Sequence, residues 1–216
     1  MIKKENIKTM FESKYVRVYD LQYAPGKHYY NASRREKETL VAAKSDGEFG
    51  RTLPDAVSCF VILKLPQKEP RILFSYEYRY PAGQYLLSVP AGLLDPEDGT
   101  GADALIKTAV REIKEETGLM VLEQDTVKVV NPFVFSTPGM TDESNALVCA
   151  VLHPEDLTAL SQEGAVGSEQ FDGFCLLNRE EALAVLEKGT DDRGIFYSVY
   201  TWAALMYFVS GMWEER

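Results

Sequence analysis

The chain has 216 residues, of which 45% are hydrophobic and 26% are charged, ordinary values for a globular protein with a buried core. Its formal net charge of −10 argues against nucleic acid as a partner, because phosphate backbones are bound by basic protein faces. A small anionic substrate stays open, since a metal ion or an arginine sets the local potential whatever the net charge.

The sequence predicts neither a secretion signal nor a membrane segment. Its first residues lack an apolar stretch of signal-peptide length. The most apolar long segment, 195–213, is interrupted by polar residues and glycine, which favours a packed terminal helix. Three cysteines, Cys59, Cys149 and Cys175, lie in apolar runs without a Cys-x-x-Cys spacing, a pattern typical of reduced thiols. We therefore predict a cytoplasmic protein with no membrane contact.

The first fifty residues are predicted to form a small β-rich part. Aromatic and apolar residues alternate over 14–34 around an Ala-Pro-Gly turn at 24–26, which predicts a β-hairpin. The polar, glycine-bearing stretch 44–50 is a plausible boundary. We therefore predict an N-terminal part over residues 1–50 and a main domain over residues 51–216.

The main domain is predicted to be mixed α+β, because strand-like runs outnumber helices and helices rarely intervene between them. A period of three and four over 103–116 predicts a helix that ends at Gly118. Further helices are predicted at 179–187 and about 198–213. The predicted strands are 56–65, 71–79, 85–89, 127–135, 145–152 and 174–177.

The helix over 103–116 carries a group of carboxylates. Glu112 and Glu116 share one face of it, and Glu115 lies beside them. Like charges at that spacing repel, and a divalent cation would relieve the repulsion, Mg²⁺ being a cation that prefers hard oxygen ligands and phosphate oxygens. Arg111 and Glu115 form an i, i+4 pair that would orient Glu115. A solvated acidic helix face is the alternative interpretation.

Residues 111–119, Arg-Glu-Ile-Lys-Glu-Glu-Thr-Gly-Leu, resemble the second half of the Nudix box, Gly-x5-Glu-x7-Arg-Glu-U-x-Glu-Glu-x-Gly-U with U aliphatic. Gly92 resembles the first glycine but lies 19 residues before Arg111, five more than in the pattern, which indicates an insertion within 94–101. Asp103 stands where the box has its first glutamate. The resemblance implies a Nudix-type α/β/α sandwich with a mixed sheet.

The surrounding residues resemble the ADP-ribose pyrophosphatase branch of that family over about residues 50–216. The motifs are Glu-Tyr-Arg-Tyr-Pro at 77–81, Leu-Ser-Val-Pro-Ala-Gly at 87–92 and Ser-Thr-Pro-Gly-Met-Thr-Asp-Glu at 136–143. In the second motif, Ser88 replaces the glutamate of that branch. The resemblance implies Mg²⁺-dependent cleavage (with Mn²⁺ as a possible substitute) of a nucleoside-diphosphate sugar, ADP-ribose first, and a homodimer formed partly by the N-terminal part.

The resemblance also implies roles for individual residues. The metal would be held by Glu112, Glu116, Glu115 and the carbonyl of Ala91, with Arg111 as a catalytic residue beside them. A carboxylate of the loop 161–172 would act as base or complete a second metal site; of Glu163, Glu169 and Asp172 we favour Glu169, which lies just before the strand at 173–177. Gly139 and Glu143 would contact substrate.

Three further assignments have a structural alternative. Arg79 would pair with a phosphate or form a structural salt bridge. Tyr29 and Tyr30 would stack on a base or simply pack in the hairpin. For the activity, the alternatives are another nucleotide pyrophosphatase and a non-catalytic domain that senses a nucleotide, although all three box glutamates are present.

Overall fold

The structure is a computed structural model that describes residues 2–164 and 167–214. The chain forms two compact units, Met1–Asp55 with Phe133–Asn145, and Ala56–Pro132 with Ala146–Arg216. The first unit therefore includes a segment from the second half of the chain. Its strands are β1 (Ile7–Glu12), β2 (Arg17–Ala24) and β3 (Lys27–Ser33), and it contains the short helix α1 (Asp46–Phe49).

The strands of the first unit form an antiparallel sheet in the order β1-β2-β3. The predicted hairpin is confirmed as β2 and β3, and Gly26 takes a positive φ of 69° in the turn between them. Tyr19, Leu21 and Leu40 are buried beneath the sheet together with Ile7. Strand β1 was not predicted, because only its first residue is buried and its sequence lacks the alternation of a half-buried strand.

The second unit contains most of a seven-stranded sheet. The strands are β4 (Ala56–Leu63), β5 (Arg71–Arg79), β6 (Gln84–Ser88), β7 (Ala91–Leu93), β8 (Thr126–Phe135), β9 (Ser144–Leu152) and β10 (Phe171–Leu177). Their central order is β10-β5-β4-β9-β8, and β6 pairs with β5 and β7 with β4. The pairs β10–β5, β5–β4, β5–β6 and β4–β7 are antiparallel. The helices are α2 (Ala102–Thr117), α3 (Arg179–Lys188) and α4 (Val199–Val209).

Strand β4 is buried on both faces, and its side chains alternate between two apolar clusters. Val57 and Val61 pack on the face covered by Leu105 and Ile113 of α2. Phe60 belongs to the opposite cluster, which contains Leu205 of α4. A sheet with helices on both faces is the α/β/α sandwich that the sequence predicted, and the mixed α+β class is confirmed.

Helix α2 forms because its buried residues recur at three and four, as the sequence indicated. It ends where Gly118 adopts a left-handed φ of 74° and donates its N–H to the carbonyl of Lys114. A Cβ at Gly118 would lie 2.4 Å from the carbonyl oxygen of Ala159, so the loop that follows packs closely against this end.

The last helix is shorter than predicted, since α4 ends at Val209 and not near residue 213. Gly211 takes a φ of 72°, which breaks the helical path. The indole N–H of Trp213 then donates to the carbonyl of Phe208 at 3.0 Å, and the two rings stack. Within the part of the chain described here, no helix is both long and apolar enough to cross a lipid bilayer.

Candidate active site

A close approach between β7 and α2 brings the two halves of the predicted box together. Ala91 pairs with Ser58 of β4, which fixes β7 on the sheet beside α2. A Cβ added to Gly92 would lie 1.8 Å from Oε1 of Glu112 and 1.9 Å from its Cδ. The Glu112 carboxylate thus occupies the space that a Cβ at position 92 would take, so any larger residue there would displace that carboxylate.

The box glutamates lie at different depths. Glu112 and Glu116 are 6% and 5% exposed, whereas Glu115 is partly open to solvent. The amide of Ala91 donates to Oε1 of Glu116 at 3.2 Å. Arg111 donates through Nη1 to Glu112 at 2.6 Å and to Glu115 at 3.2 Å. The box thus forms one contact network at the β7–α2 junction.

Glu77 of β5 belongs to the same charged region, although sequence reasoning did not assign it a role. It is 8% exposed, accepts a hydrogen bond from Ser88 and forms an ion pair with Nη2 of Arg79 at 2.5 Å. Arg79 is therefore engaged in a salt bridge, one of its two predicted arrangements. Glu77 could have been predicted from the sequence, because it is the one carboxylate within an apolar strand and a buried carboxylate usually has a partner.

The residue after Glu169, Gln170, is bonded to the end of β5. The N–H of Tyr78 donates to the carbonyl of Gln170 at 2.8 Å, and the Gln170 side chain donates to the hydroxyl of Tyr80 at 3.0 Å. These bonds fix the chain next to Glu169 against the end of β5. Burial raises the pKa of the Glu77 carboxyl, Arg79 and the hydrogen bond from Ser88 oppose this effect, and the charge of Glu169 adds to it.

The loop before Glu169 also packs against α2. The N–H of Ser161 donates to the carbonyl of Thr117 at 2.9 Å. A Cβ at Gly164 would lie 2.3 Å from the carbonyl oxygen of Glu115. Residues 165 and 166 of the predicted loop 161–172 lie outside the described residues. The described part of the loop is thus anchored at the same end of α2 that carries the box glutamates.

Burial and neighbouring carboxylates raise the pKa values of the buried glutamates. Burial raises the pKa of Glu116 well above its ordinary value, and the charges of Glu77, Glu112 and Glu169 raise it further, against one hydrogen bond from Ala91. Burial likewise raises the pKa of Glu112, although the Arg111 guanidinium opposes this effect. We call Glu77, Glu112, Glu116 and Glu169 the glutamate cluster. Its electrostatics fit a bound cation, because a cation would offset both the burial and the mutual repulsion.

The ligands of such a cation are not preassembled. Among the described residues, no three His, Cys, Asp or Glu side chains converge so that they could hold a metal ion as they stand. Arg111 engages Glu112 and Glu115, and the amide of Ala91 engages Glu116. The residue types fit a hard divalent cation, and their present partners would have to yield to it.

The family model of the NUDIX domain matches residues 52–199. The chain belongs to the Nudix family. This match includes β7, α2 and the loop with Glu169, and it confirms the family predicted from the box.

Relatives of this Nudix chain include two proteins named for nucleotide sugars. The ADP-sugar pyrophosphatase of Mus musculus is 27% identical over 133 residues, 62% of this chain and 57% of that protein. The ADP-ribose pyrophosphatase of Saccharomyces cerevisiae is 31% identical over 123 residues, 56% of this chain and 48% of that protein. The chain thus spans about half the length of these relatives.

A solved structure described as an ADP compounds hydrolase has a similar fold. It matches with a TM-score of 0.51 and 19% identity, over 96% of this chain and 91% of that chain. At this identity the likeness supports the Nudix fold alone.

The other predicted substrate residues of the Nudix chain lie in the first unit. The hydroxyl of Tyr29 donates to the carbonyl of Gly139 at 2.6 Å, and Arg34 pairs with Glu143 at 3.1 Å. Tyr30 is exposed. The structure therefore brings Tyr29 close to Gly139 within this unit, and base stacking by Tyr29 or Tyr30 stays a prediction.

A cavity of about 740 Å³ in the second unit is separate from the glutamate cluster. Its lining mixes basic, acidic and apolar side chains, among them Lys64, Arg179, Glu69 and Trp213. Neither Arg111 nor any member of the glutamate cluster lines it. Arg111 and the glutamate cluster therefore lie outside this cavity.

Proposed function

We propose that the protein hydrolyses the diphosphate bond of a nucleoside-diphosphate sugar in a Mg²⁺-dependent reaction, converting ADP-ribose to AMP and ribose 5-phosphate. The observation that carries this proposal is the glutamate cluster, in which Glu116 is buried among three other carboxylates. The names of the mouse and yeast relatives support an ADP-sugar as substrate. Another nucleoside-diphosphate sugar would present the same diphosphate to the same residues.

Glu112 and Glu116 would hold the cation with the carbonyl of Ala91, and Glu115 would be a further ligand or orient one. Mg²⁺ fits this all-oxygen set, and Mn²⁺ is a substitute. When bound, the cation would neutralise charge on the phosphoryl oxygens and lower the pKa of the attacking water. Arg111 would orient Glu112 and Glu115 through the contacts already described.

The remaining work falls to side chains of the chain itself. Glu169 would accept the proton of the attacking water, as a carboxylate within the field of the cluster is able to do. Arg79 would pair with a substrate phosphate by exchanging its contact with Glu77, since both partners are anionic oxygens. Gly139 and Glu143, with Tyr29 and Tyr30, are the further residues that we propose for substrate binding.

A panel of nucleoside-diphosphate sugars, assayed by mass spectrometry of the products, tests the proposal. We expect AMP and ribose 5-phosphate from ADP-ribose with Mg²⁺, restored turnover with Mn²⁺, and none with EDTA. Measurable binding of ADP-ribose without turnover of any member of the panel would favour a non-catalytic sensor instead. Cleavage of another nucleoside-diphosphate sugar in preference to ADP-ribose would retain the reaction and change the substrate.

Replacing Glu169 by glutamine is expected to lower kcat about a hundredfold, the usual contribution of a general base, with little change in KM. Glu163→Gln is the matched control, because Glu163 lies in the same loop and is exposed. Steady-state kinetics with ADP-ribose at saturating Mg²⁺ makes the comparison. Full activity of both variants would remove both glutamates from the mechanism and leave Asp172, whereas loss of activity in Glu163→Gln alone would assign the role to Glu163.

We also propose a cytoplasmic homodimer, formed partly by the N-terminal part. The exposed aromatic and apolar residues of β1 to β3, among them Phe11, Tyr23 and Tyr30, support a protein contact there. Sedimentation of a monomer at assay concentration would argue against the dimer and leave the reaction untouched.

A further inference from the structure

Strand β10 contains a bulge just after Glu169. The pairing with β5 shifts between Phe171 and Phe174, so that Asp172 and Gly173 together oppose one residue of β5. Gly173 takes a positive φ of 83° there. A bulged residue loses its regular partners on the neighbouring strand, and its N–H and carbonyl therefore need partners from elsewhere.

The side chain of Gln162 supplies both partners. The N–H of Gly173 donates to Oε1 of Gln162 at 2.9 Å, and Nε2 of Gln162 donates to the carbonyl of Gly173 at 3.2 Å. A carboxamide has the donor and the acceptor of a peptide group, so Gln162 pairs with the bulge as a short strand would. These two bonds join the ends of the loop 161–172, which carries Glu169.

The chain at Gln162 is also attached to α2. The preceding residue, Ser161, donates its N–H to the carbonyl of Thr117 at 2.9 Å, and Thr117 directly follows Glu116. Hydrogen bonds therefore connect the end of α2 to Ser161, and Gln162 to the bulge in β10. Through them, the helix that carries the box glutamates is linked to the strand that follows Glu169.

A second contact at the bulge is weaker and reaches a different element. Arg193 donates through Nη2 to Asp172 at 2.6 Å, and its guanidinium lies 4.1 Å from the centre of the Tyr76 ring. The side chains of Arg193 and Asp172 are 49% and 53% exposed, and an ion pair so exposed contributes little because water screens it. It holds the bulge to the loop before α4, whereas Gln162 holds it to α2.

We propose that Gln162 is a positioning residue that holds Glu169 where its carboxylate can accept the proton of the attacking water. This inference rests on the proposed function for the role of Glu169. Without the two bonds to Gly173, the loop keeps the contacts of Gln170 with the end of β5 but loses its link to α2. The Glu169 carboxylate then spends less time in its reactive position, so kcat falls while substrate binding is unchanged.

The test uses Gln162→Met in the full chain, because methionine keeps the length of the side chain and removes both hydrogen bonds. We expect kcat for ADP-ribose to fall about tenfold, the effect of a displacement well below 1 Å, with KM and the half-saturating Mg²⁺ concentration unchanged. Gln124→Met is the matched control, the same change at an exposed glutamine outside the loop, and should keep wild-type kinetics. Gln162→Glu keeps the acceptor for the Gly173 N–H and should give an intermediate kcat.

Two further measurements separate positioning from a general loss of structure. Added to Glu169→Gln, Gln162→Met should lower kcat no further, because both changes act on one carboxylate. Hydrogen exchange followed by mass spectrometry should show faster exchange over residues 167–173 in Gln162→Met than in Gln124→Met. The melting temperatures should be alike, since Gly173 is exposed and its N–H and carbonyl can bond to water instead.

Wild-type kcat in Gln162→Met, or an equal fall of kcat with and without Glu169→Gln, would overturn the inference. Unchanged exchange over residues 167–173 in Gln162→Met would overturn it as well. Failure of the proposed function looks different, because the wild-type protein would then cleave no nucleoside-diphosphate sugar. Hydrogen exchange would still show whether Gln162 holds the loop.

Discussion

Replacing Glu116 by glutamine is expected to lower kcat/KM for ADP-ribose by about three orders of magnitude, the upper range for removing one preorganised charged group. Glutamine keeps the size and the hydrogen bond from Ala91 but removes the charge that would bind the cation. Kinetics over a wide range of Mg²⁺ concentrations measures the loss. Glu123→Gln, at an exposed glutamate outside the cluster, is the control and should retain full activity.

The same variant should be more stable than the wild-type protein when no cation is present. Burial, joined by the charges of Glu77, Glu112 and Glu169, raises the folded-state pKa of Glu116 well above the ordinary value of 4.5 that the unfolded chain has. Between these two pKa values the folded state binds more protons, so the free energy of unfolding falls as the pH rises. The stabilisation from proton binding is complete below the unfolded-state pKa and is lost as the pH rises through the raised folded-state pKa.

Thermal melting in EDTA at a series of pH values measures this effect. As the pH rises above the ordinary value of 4.5, the wild-type melting temperature should fall more steeply than that of Glu116→Gln, and added Mg²⁺ should stabilise the wild-type protein alone. An active Glu116→Gln variant would refute the proposed reaction. An inactive variant with no gain in cation-free stability would contradict the electrostatic account of the cluster.

Replacing Gly92 by alanine is expected to lower kcat/KM about a hundredfold, the effect of displacing a catalytic group by roughly 1 Å. The new Cβ would overlap the carboxylate of Glu112, so that carboxylate must move. Its atoms are the far end of a flexible side chain, and the melting temperature should therefore change little. Activity would be lost with the fold intact.

Gly47→Ala is the control for this variant, because a Cβ at Gly47 meets nothing within 4 Å and the residue has no positive φ. It should keep full activity and stability. Full activity of Gly92→Ala would mean that Glu112 need not occupy the position found in the structure. A large drop in melting temperature would instead show that β7 and not the carboxylate had moved.

Local sequence pattern determined the elements whose burial follows a regular period. Helix α2 was predicted to within one residue at either end, since its buried positions recur at three and four and Gly118 stops it. Strand β5 was predicted over its whole length because its apolar run is bounded by turn residues. The resemblance of residues 111–119 to the Nudix box predicted the family, which the match of the NUDIX domain model to residues 52–199 confirms.

Patterns too short or too irregular to show a period were missed. Strand β7 has three residues and α1 has four, fewer than either period needs. The end of α4 was misplaced because the apolar residues continue to Trp213, where the indole N–H caps a carbonyl of the helix from outside it.

Only the tertiary structure decided which charged residues join the box. Glu77, Asp98 and Glu169 come from separate segments of the chain, and no local period relates them to α2. The sheet brings Tyr78 to Gln170 by backbone pairing. Asp98 accepts the hydroxyl of Thr108 and lies 3.6 Å from Nη2 of Arg111. The raised pKa of Glu116 follows from this assembly, because exclusion of water and proximity of like charges are properties of the packed chain and not of any segment.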